Sequence, residues 1–398
     1  MRIIVFLFAL VFVQLISAQN SAEAVLPHYP DWMYQNRLEE LDKKTSINLD
    51  YNSQVQAFIE VYTVKRRDHL ANIIGLSEMY FPLFEEYLAK YDLPMELKYL
   101  AIVESALDPR AKSKSGAMGL WQFLYHASRM FDLKVDTYVD ERCDPVKSTE
   151  AACKYLRYLY HNLNDWQLAL AAYNGGIGVV QNAIERSGGK TDFWELQPYL
   201  PAAVKSYVPA FIAVNYVMNN YNKHEVEANP PKMNFNEIDT VFVSKSLTFQ
   251  QVSDASGASM EMLRWLNPSF IKDYIPANDL PTRIFLPKAN IVSFVKAEKN
   301  LENAGGPVVE LIPVGDTNGR EKIDHVVSKG EYFHKIAIDH YCRISDIMLW
   351  NNMKKRDLYV GQKLVIWQPK EEENYFFVVD EIMNPEKLNW KESFLATE

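Results

Sequence analysis

A glutamate at the end of an apolar helical stripe is the residue in this sequence best suited to acid/base chemistry. The helix expected after Pro94 carries four residues at i, i+3, i+4 and i+7 on one face, namely Leu97, Leu100, Ala101 and Glu104. A carboxylate on a core-facing stripe is costly to bury as an anion, so its pKa should rise. A carboxyl with a raised pKa can donate a proton at neutral pH. Taken alone, the position favours a simpler role, a glutamate at the helix edge whose carboxylate lies in water.

Small and polar residues at fixed distances after Glu104 favour the chemical role instead. They are Ser105, Ser113, Gly116-Ala117, Gly119-Leu120-Trp121-Gln122 and Ala172-Tyr173-Asn174-Gly175-Gly176. With these motifs, residues 50 to 220 resemble the lytic transglycosylase family, whose catalytic domain is similar to goose-type lysozyme. The resemblance is strongest for the membrane-bound type D subgroup, and it implies a mainly helical catalytic domain.

The resemblance implies that Glu104 is the single acid/base of a peptidoglycan-cleaving reaction. It would first protonate the β-1,4 glycosidic oxygen between N-acetylmuramic acid (MurNAc) and N-acetylglucosamine (GlcNAc), and then accept the proton of the muramic 6-hydroxyl. That hydroxyl would attack its own anomeric carbon and leave a 1,6-anhydro-MurNAc end. Such an intramolecular attack needs neither an activated water nor a nucleophilic side chain.

The same resemblance implies roles for five further residues. Ser113 and Gln122 would hydrogen-bond the muramic residue around the cleavage point. Tyr173 would position the catalytic carboxyl, and Asn174 would hold the turn that presents it. Tyr207 is expected to be the second tyrosine that reaches the carboxyl.

Two other functions stay open at this point. A lysozyme- or chitinase-type hydrolase generally needs a second carboxylate about 5–10 Å from the first. Asp108 is a conceivable partner, although Asp108-Pro109 is more simply a helix stop. A non-catalytic peptidoglycan-binding scaffold would be favoured if departures from the family pattern disabled the cleft. Those departures are Ala203-Val204-Lys205, where the family has Glu-Thr-Arg, and Leu124-Tyr125-His126-Ala127, where it has Met-Pro and a Thr.

The C-terminal half contains an internal repeat in the order strand, helix, helix, strand, about 45 residues long. The second copy carries His325-Val326-Val327-Ser328-Lys329-Gly330-Glu331 and Gly361-Gln362-Lys363-Leu364. It resembles a LysM module, which binds GlcNAc-containing glycans. The first copy has no Lys-Gly-Glu signal and resembles a degenerate module of the same kind. Modules that hold the polymer would raise the substrate concentration at the cleft.

The sequence thus predicts an α+β multidomain protein, in which a mainly helical lysozyme-like domain precedes two small βααβ modules. The predicted order is a signal peptide (1–18), an N-terminal helical segment (19–85), the catalytic domain (86–224), a linker (225–237), the degenerate module (238–289), a second linker (290–322), the LysM module (323–368) and a tail (369–398). Within the catalytic region, helix ends are expected at Gly175-Gly176 and at Pro209.

The N-terminus indicates an exported protein. Arg2 precedes an apolar run from Ile3 to Ile16, and small residues follow at Ser17-Ala18, which is the pattern of a signal peptide. No cysteine follows the run, so no lipid anchor is predicted. We expect the mature protein in the periplasm or cell envelope, in peripheral association with the cell wall or outer membrane.

Charge and cysteine content limit the partners and cofactors. A net charge of −9 without a long Lys/Arg run argues against nucleic-acid binding. We expect a monomer that binds peptidoglycan glycan strands. No Cys/His spacing indicates a metal site, and no cofactor is expected. Cys143 and Cys153 are the only near pair, and the sequence leaves a disulfide between them open, whereas Cys342 is expected to be a buried thiol in a helical stretch.

Overall fold

Three apolar cores organise the chain, one mainly in the helical N-terminal part and one in each C-terminal module. The structure is a computed structural model that describes residues 29–278, 280–304, 314–329, 331–340, 342–355 and 357–369. The predicted signal peptide, residues 305–313 of the second linker and the tail after Pro369 lie outside the described residues. The predicted class, a mainly helical domain followed by two small mixed modules, is confirmed. No helix within the described ranges is long and apolar enough to cross a membrane.

The N-terminal part is helical. Its α-helices are α1 (Asp31–Asp42), α2 (Ser53–Glu60), α3 (Arg67–Lys90), α4 (Leu100–Ser105), α5 (Tyr125–Met130), α6 (Pro145–Leu163), α7 (Trp166–Gly175), α8 (Ile177–Arg186), α9 (Phe193–Leu196) and α10 (Ala202–Asn220). A π-helical turn (Val61–Lys65) joins α2 to α3, and short 3₁₀ turns precede α4, α6 and α10. Asp144 and Asp165 begin α6 and α7, because each side chain accepts hydrogen bonds from backbone N–H groups of the first turn.

Helix α10 lies at the centre of this part and packs against α2, α4 and α7. Its residues 211–217 are buried on all sides, as expected for a helix that is apolar around its whole circumference. The prediction that Pro209 ends a helix is wrong, because α10 continues through it to Asn220. Proline cannot donate to the carbonyl of Lys205, and Gln197 Nε2 donates to that oxygen instead (2.9 Å).

Helix α3 crosses the border predicted at residue 85. Phe84 and Leu88, on either side of that border, belong to the same core. The buried face of α2, formed by Val55, Phe58 and Ile59, packs into this core as well. The first helices and the predicted catalytic domain therefore form one folded unit rather than two segments.

The first C-terminal module contains β1 (Ile238–Val243), β2 (Leu247–Thr248), α11 (Phe249–Ser256), α12 (Met260–Leu266), β3 (Tyr274–Ile275), β4 (Thr282–Pro287) and α13 (Lys288–Glu298). Strands β1 and β4 are antiparallel, with Ile238 opposite Pro287 and Val243 opposite Thr282. The linker predicted from residue 290 begins later, because α13 packs on the module and buries Phe294 completely.

This first module is docked on the helical domain. Val139 and Phe270 form a β-bridge between the two units and share one apolar core. Arg283 forms a salt bridge with Asp144 at 3.0 Å, and Asp144 is also the residue that begins α6. The contact therefore fixes the module to the base of α6.

The second module repeats the strand, helix, helix, strand order. It contains β5 (Arg320–Val326), α14 (Phe333–Asp339), α15 (Ile344–Trp350) and β6 (Lys363–Pro369), and β5 pairs with β6 in an antiparallel sheet. It also contacts the helical domain, through a buried salt bridge from Arg129 of α5 to Asp346 (3.1 Å). Tyr158 of α6 donates a second bond to Asp339.

The three cysteines are buried free thiols, so the structure contains no bridge between Cys143 and Cys153. Burial raises the pKa of each of these two thiols to about 12, which keeps them protonated. Cys342 is buried as predicted, but it lies between α14 and α15 rather than within a helix.

Candidate active site

Glu104 lies near the C-terminal end of α4, a short helix in which all six residues are buried. Only 5% of the Glu104 surface is exposed. The helix stops two residues later, where Ala106 and Leu107 adopt left-handed backbone angles (φ +52° and +66°). Such angles are unfavourable for residues with a Cβ, and strain of this kind concentrates at functional sites. Ser105 Oγ donates to the Leu120 carbonyl (2.9 Å) and so ties this helix end to the loop beyond it.

The chemistry of Glu104 is set by burial and by one tyrosine. Burial raises the pKa of the Glu104 carboxyl to about 8, and the hydrogen bond from the Tyr207 hydroxyl to Oε1 acts in the opposite direction. Burial and the charge of Glu104 together raise the pKa of Tyr207 well above its usual value, so the phenol stays a donor. Asp108 does not contribute to the pKa of Glu104. At neutral pH the Glu104 carboxyl is therefore mostly protonated, and it accepts a hydrogen bond from the Tyr207 hydroxyl.

Tyr173 approaches the same carboxyl without a hydrogen bond to it. The negative charge of Glu104 contributes to raising the Tyr173 pKa, after burial, which indicates that the two groups are close. The Tyr173 hydroxyl donates instead to the carbonyl of Trp121 (2.9 Å). In this structure Tyr173 therefore positions the loop segment that precedes Gln122.

Ser113 and Gln122 lie on the loop between α4 and α5, and both are half-buried. The Ser113 hydroxyl accepts a hydrogen bond from the Ala117 N–H (2.9 Å). Gln122 has a left-handed backbone (φ +48°), and its Nε2 donates to the carbonyls of Ala111 and Gly119 (3.1 and 2.9 Å). These bonds fix both side chains before any substrate arrives. Gln122 lines a small pocket with Tyr173 and other residues, namely Trp121, Phe123, Leu124, Ala127, Tyr155 and Gly176.

Asn174 is buried at the end of α7, next to Tyr173. The turn after it depends on the backbone, because Gly176 (φ +85°) donates its N–H to the Ala172 carbonyl at 2.8 Å. Among the described residues, nothing donates a hydrogen bond to the buried Oδ1 of Asn174. The predicted helix end at Gly175-Gly176 is confirmed.

Two further residues support the site, Arg142, which was not predicted from the sequence, and Gly119, which belongs to one of the motifs found there. The buried Arg142 guanidinium donates to the carbonyls of Gly116 and Phe123 (2.9 and 3.3 Å) and pairs with Asp140 (2.7 Å), so it joins the middle of the loop to its C-terminal end. Gly119 must lack a side chain, since a Cβ there would lie 2.0 Å from the Arg142 carbonyl oxygen. No local pattern marks Arg142, because its loop partners are 19 and 26 residues away.

The departure Ala203-Val204-Lys205 lies in the first turn of α10. Val204 is completely buried, and one of its methyl groups packs closely on Gly175. A Cβ on residue 175 would lie only 2.6 Å from that methyl group. This apolar contact joins the end of α7 to α10, which carries Tyr207. Val204 thus supports the candidate site through packing.

Family comparisons agree with this geometry. Residues 82–195 match the transglycosylase SLT domain, residues 237–303 match the LysM-like domain of lytic transglycosylase MltD, and residues 325–367 match the LysM domain. Two of these three segments therefore resemble domains of lytic transglycosylases.

The chain is similar to membrane-bound lytic murein transglycosylase D of Escherichia coli strain K12. The two are 29% identical over 307 residues, which is 76% of this chain and 66% of that relative. The chain thus spans just under two thirds of the length of this relative. It is 30% identical to the soluble lytic murein transglycosylase of the same strain over 37% of this chain and 23% of that protein. The crystal structure of the 70-kDa soluble lytic transglycosylase of E. coli aligns with a TM-score of 0.33 and 24% identity, covering 48% of this chain and 29% of that one.

Proposed function

We propose that the chain is a peptidoglycan lytic transglycosylase that cleaves the MurNAc–GlcNAc β-1,4 bond and leaves a 1,6-anhydro-MurNAc end. Glu104 is its single acid/base, and the LysM modules hold the glycan. The observation that carries this proposal is the buried Glu104 carboxyl, whose pKa is about 8 and which accepts a hydrogen bond from Tyr207. A carboxyl of this pKa is protonated at neutral pH yet is still a competent base after it has donated its proton.

In the proposed reaction, protonated Glu104 donates its proton to the glycosidic oxygen while the bond from that oxygen to the muramic C1 breaks. The Glu104 carboxylate then accepts the proton of the muramic 6-hydroxyl, and the 6-oxygen forms a bond to C1. The carboxyl is protonated again at the end, and no water is consumed. The hydrogen bond from Tyr207 stabilises the carboxylate between the two steps, since a bond to a charged acceptor is stronger than one to a neutral acceptor.

The other predicted site residues support this scheme from the loop and from α7. The hydrogen bonds within the loop fix Ser113 and Gln122 in position to bond the muramic residue. Tyr173 holds the same loop through Trp121 and stands close to the carboxyl. We assign Asn174 to the presentation of Tyr173, because it follows that residue at the end of α7.

We further propose that the protein is exported and acts in the periplasm or cell envelope as a monomer. The signal-peptide pattern at residues 1–18 supports export. The similar E. coli protein is named membrane-bound, which supports a place in the envelope. The proposed partner is the peptidoglycan glycan strand, and the net charge of −9 argues against nucleic acid.

Mass spectrometry of the fragments released from purified sacculi tests the function. The mature protein should release muropeptides that end in 1,6-anhydro-MurNAc, and Glu104→Gln should release none. Reducing ends instead would mean a lysozyme- or chitinase-type hydrolase and a second carboxylate. Sacculi that stay intact yet bind the protein would mean a non-catalytic scaffold.

A further inference from the structure

A groove of about 640 Å³ separates α6 from the second module. Residues 90–93 at the end of α3, the outer face of α6 and the start of α7 line it on the side of the helical domain, and Tyr332, just before α14, lines it on the side of the second module. The hydrogen bond from Tyr158 of α6 to Asp339 of α14 joins the two walls. The groove therefore lies beside the contact between the helical domain and the second module.

Aromatic rings form much of the groove. Tyr160 and Trp166 stack at 4.2 Å with an interplanar angle of 16°, and both are half-buried, so part of the stack faces the groove. Tyr332 on the opposite wall is 49% exposed. Flat rings of this kind pack on the apolar faces of sugar rings while their polar groups stay solvated.

The groove is also positively charged, although the chain as a whole carries −9. Three cationic residues, Lys90, Lys154 and Arg157, line it together with one carboxylate, Asp92. Glu150 forms salt bridges with both lysines, at 3.1 and 3.6 Å. Among the described residues, no group forms a hydrogen bond or salt bridge with the exposed Arg157 side chain. Its guanidinium is therefore available to a ligand.

Helix α6 connects the groove to the candidate active site. Tyr155 lines the pocket beside Gln122 and Tyr173, and its ring lies 5.4 Å from that of Tyr173. Tyr158, one helical turn further on, lines the groove, and the two α6 rings stack at 6.4 Å and 14°. The groove thus begins one turn of α6 away from the pocket.

We propose that this groove binds the part of the glycan strand that carries carboxylates and lies next to the cleavage point. The sugar rings pack on Trp166 and Tyr332, and a carboxylate of the polymer pairs with Arg157. That carboxylate belongs either to the lactyl group of MurNAc or to a stem peptide. This proposal rests on the proposed function and specifies where a further part of its substrate binds.

Isothermal titration calorimetry on the full mature chain tests the groove. The Glu104→Gln background prevents turnover. Three probes of equal length are needed: a neutral GlcNAc oligosaccharide, a GlcNAc–MurNAc oligosaccharide without peptides, and the same oligosaccharide with stem peptides. Adding Arg157→Gln should weaken binding of the carboxylate probes about fivefold and leave the neutral probe unchanged. Tyr332→Ala should weaken all three probes about fivefold because its ring packs on sugar. Lys288→Gln, an exposed charge on α13 outside the groove, is the matched control and should change nothing.

Each outcome decides the proposal. The stem peptide is joined to the lactyl carboxyl through an amide, so only the peptide-free probe carries a free lactyl carboxylate. Sensitivity to Arg157→Gln with the peptide-free muramic probe alone therefore identifies the lactyl carboxylate, and sensitivity with the peptide-bearing probe alone identifies a stem-peptide carboxylate. Sensitivity with both probes means that Arg157 pairs with either carboxylate. If Arg157→Gln binds both carboxylate probes as tightly as the background protein does, the groove is not a glycan-binding site. The same conclusion follows if Tyr332→Ala changes the binding of no probe. Neither result contradicts the proposed function. If no muramic probe binds any variant and the unsubstituted protein leaves sacculi uncut, the proposed function fails as well.

Discussion

Substituting Tyr207 by phenylalanine should shift the pH dependence of cleavage, because this hydroxyl is the only hydrogen-bond donor to Glu104 among the described residues. A bond to a charged, buried group stabilises it by about 1.5–3 kcal/mol. One pKa unit corresponds to about 1.4 kcal/mol, so losing the bond should move the titration of Glu104 upward by about one to two pH units.

The sign of the effect follows from the order of the two proton transfers. Glu104 must be protonated to begin the reaction, so kcat/KM should fall as the pH rises through its pKa of about 8. In Tyr207→Phe this high-pH limb should lie about one to two units higher, for the reason given above. The maximal kcat/KM below that limb should also fall, by about 10- to 100-fold, because the Glu104 carboxylate formed between the two steps loses the hydrogen bond from Tyr207.

A steady-state assay of anhydro-muropeptide release between neutral and strongly alkaline pH measures both effects. Tyr216→Phe is the matched control, because it removes another buried hydroxyl from α10, one that bonds Arg37 and His224 instead of the candidate site. It should lower stability and leave the pH limb in place. A high-pH limb that stays at its original position in Tyr207→Phe, even with a lower rate, would refute the electrostatic role assigned to Tyr207.

Three other outcomes are expected. Gly119→Ala should destabilise the protein by at least about 2 kcal/mol in urea unfolding, because its Cβ would meet the Arg142 carbonyl oxygen; a loss below about 0.5 kcal/mol would contradict this packing. Arg129→Met removes the ion pair to Asp346, so limited proteolysis should release the second module faster, and an unchanged rate would argue against the docking. Glu104→Gln should raise the Tm at pH 7 but not at pH 4. Because the pKa of Glu104 is raised in the folded state, the folded protein loses stability as the pH rises from 4.5 towards 8, and glutamine removes this loss. An equal change in Tm at pH 4 and pH 7 would contradict the raised pKa.

The parts of the fold that depend on local pattern could be predicted from the sequence. Each module has the predicted order of strand, helix, helix and strand, and Thr248 and Ser259 begin α11 and α12 as capping residues. Glu104 could be identified because it lies on an apolar helical stripe and because the motifs that follow it resemble those of a known family, and the structure confirms that it is buried. The short helix α4 and the 3₁₀ turn before it together cover the single helix expected after Pro94.

The parts that depend on distant contacts could not be predicted. Pro209 is tolerated inside α10 because a side chain from another turn, Gln197, bonds the carbonyl that proline leaves free. Arg142 closes a loop whose residues lie well before it in the chain. The docking of the second module through Arg129 has no periodic signal either, since it pairs two surface segments that are 217 residues apart.

The cluster of unfavourable features around Glu104 is itself an argument for its role. A buried carboxyl, two consecutive left-handed residues at Ala106 and Leu107, and an acceptor without a donor on Asn174 all oppose folding. Each left-handed residue alone costs about 1–2 kcal/mol. These features lie at the ends of α4 and α7, and both helices pack against α10, whose buried apolar residues offset their cost and which contains no left-handed residue. A fold under selection for stability alone would have replaced Glu104 by an apolar residue, so its presence in this core supports a function that requires a proton at this position.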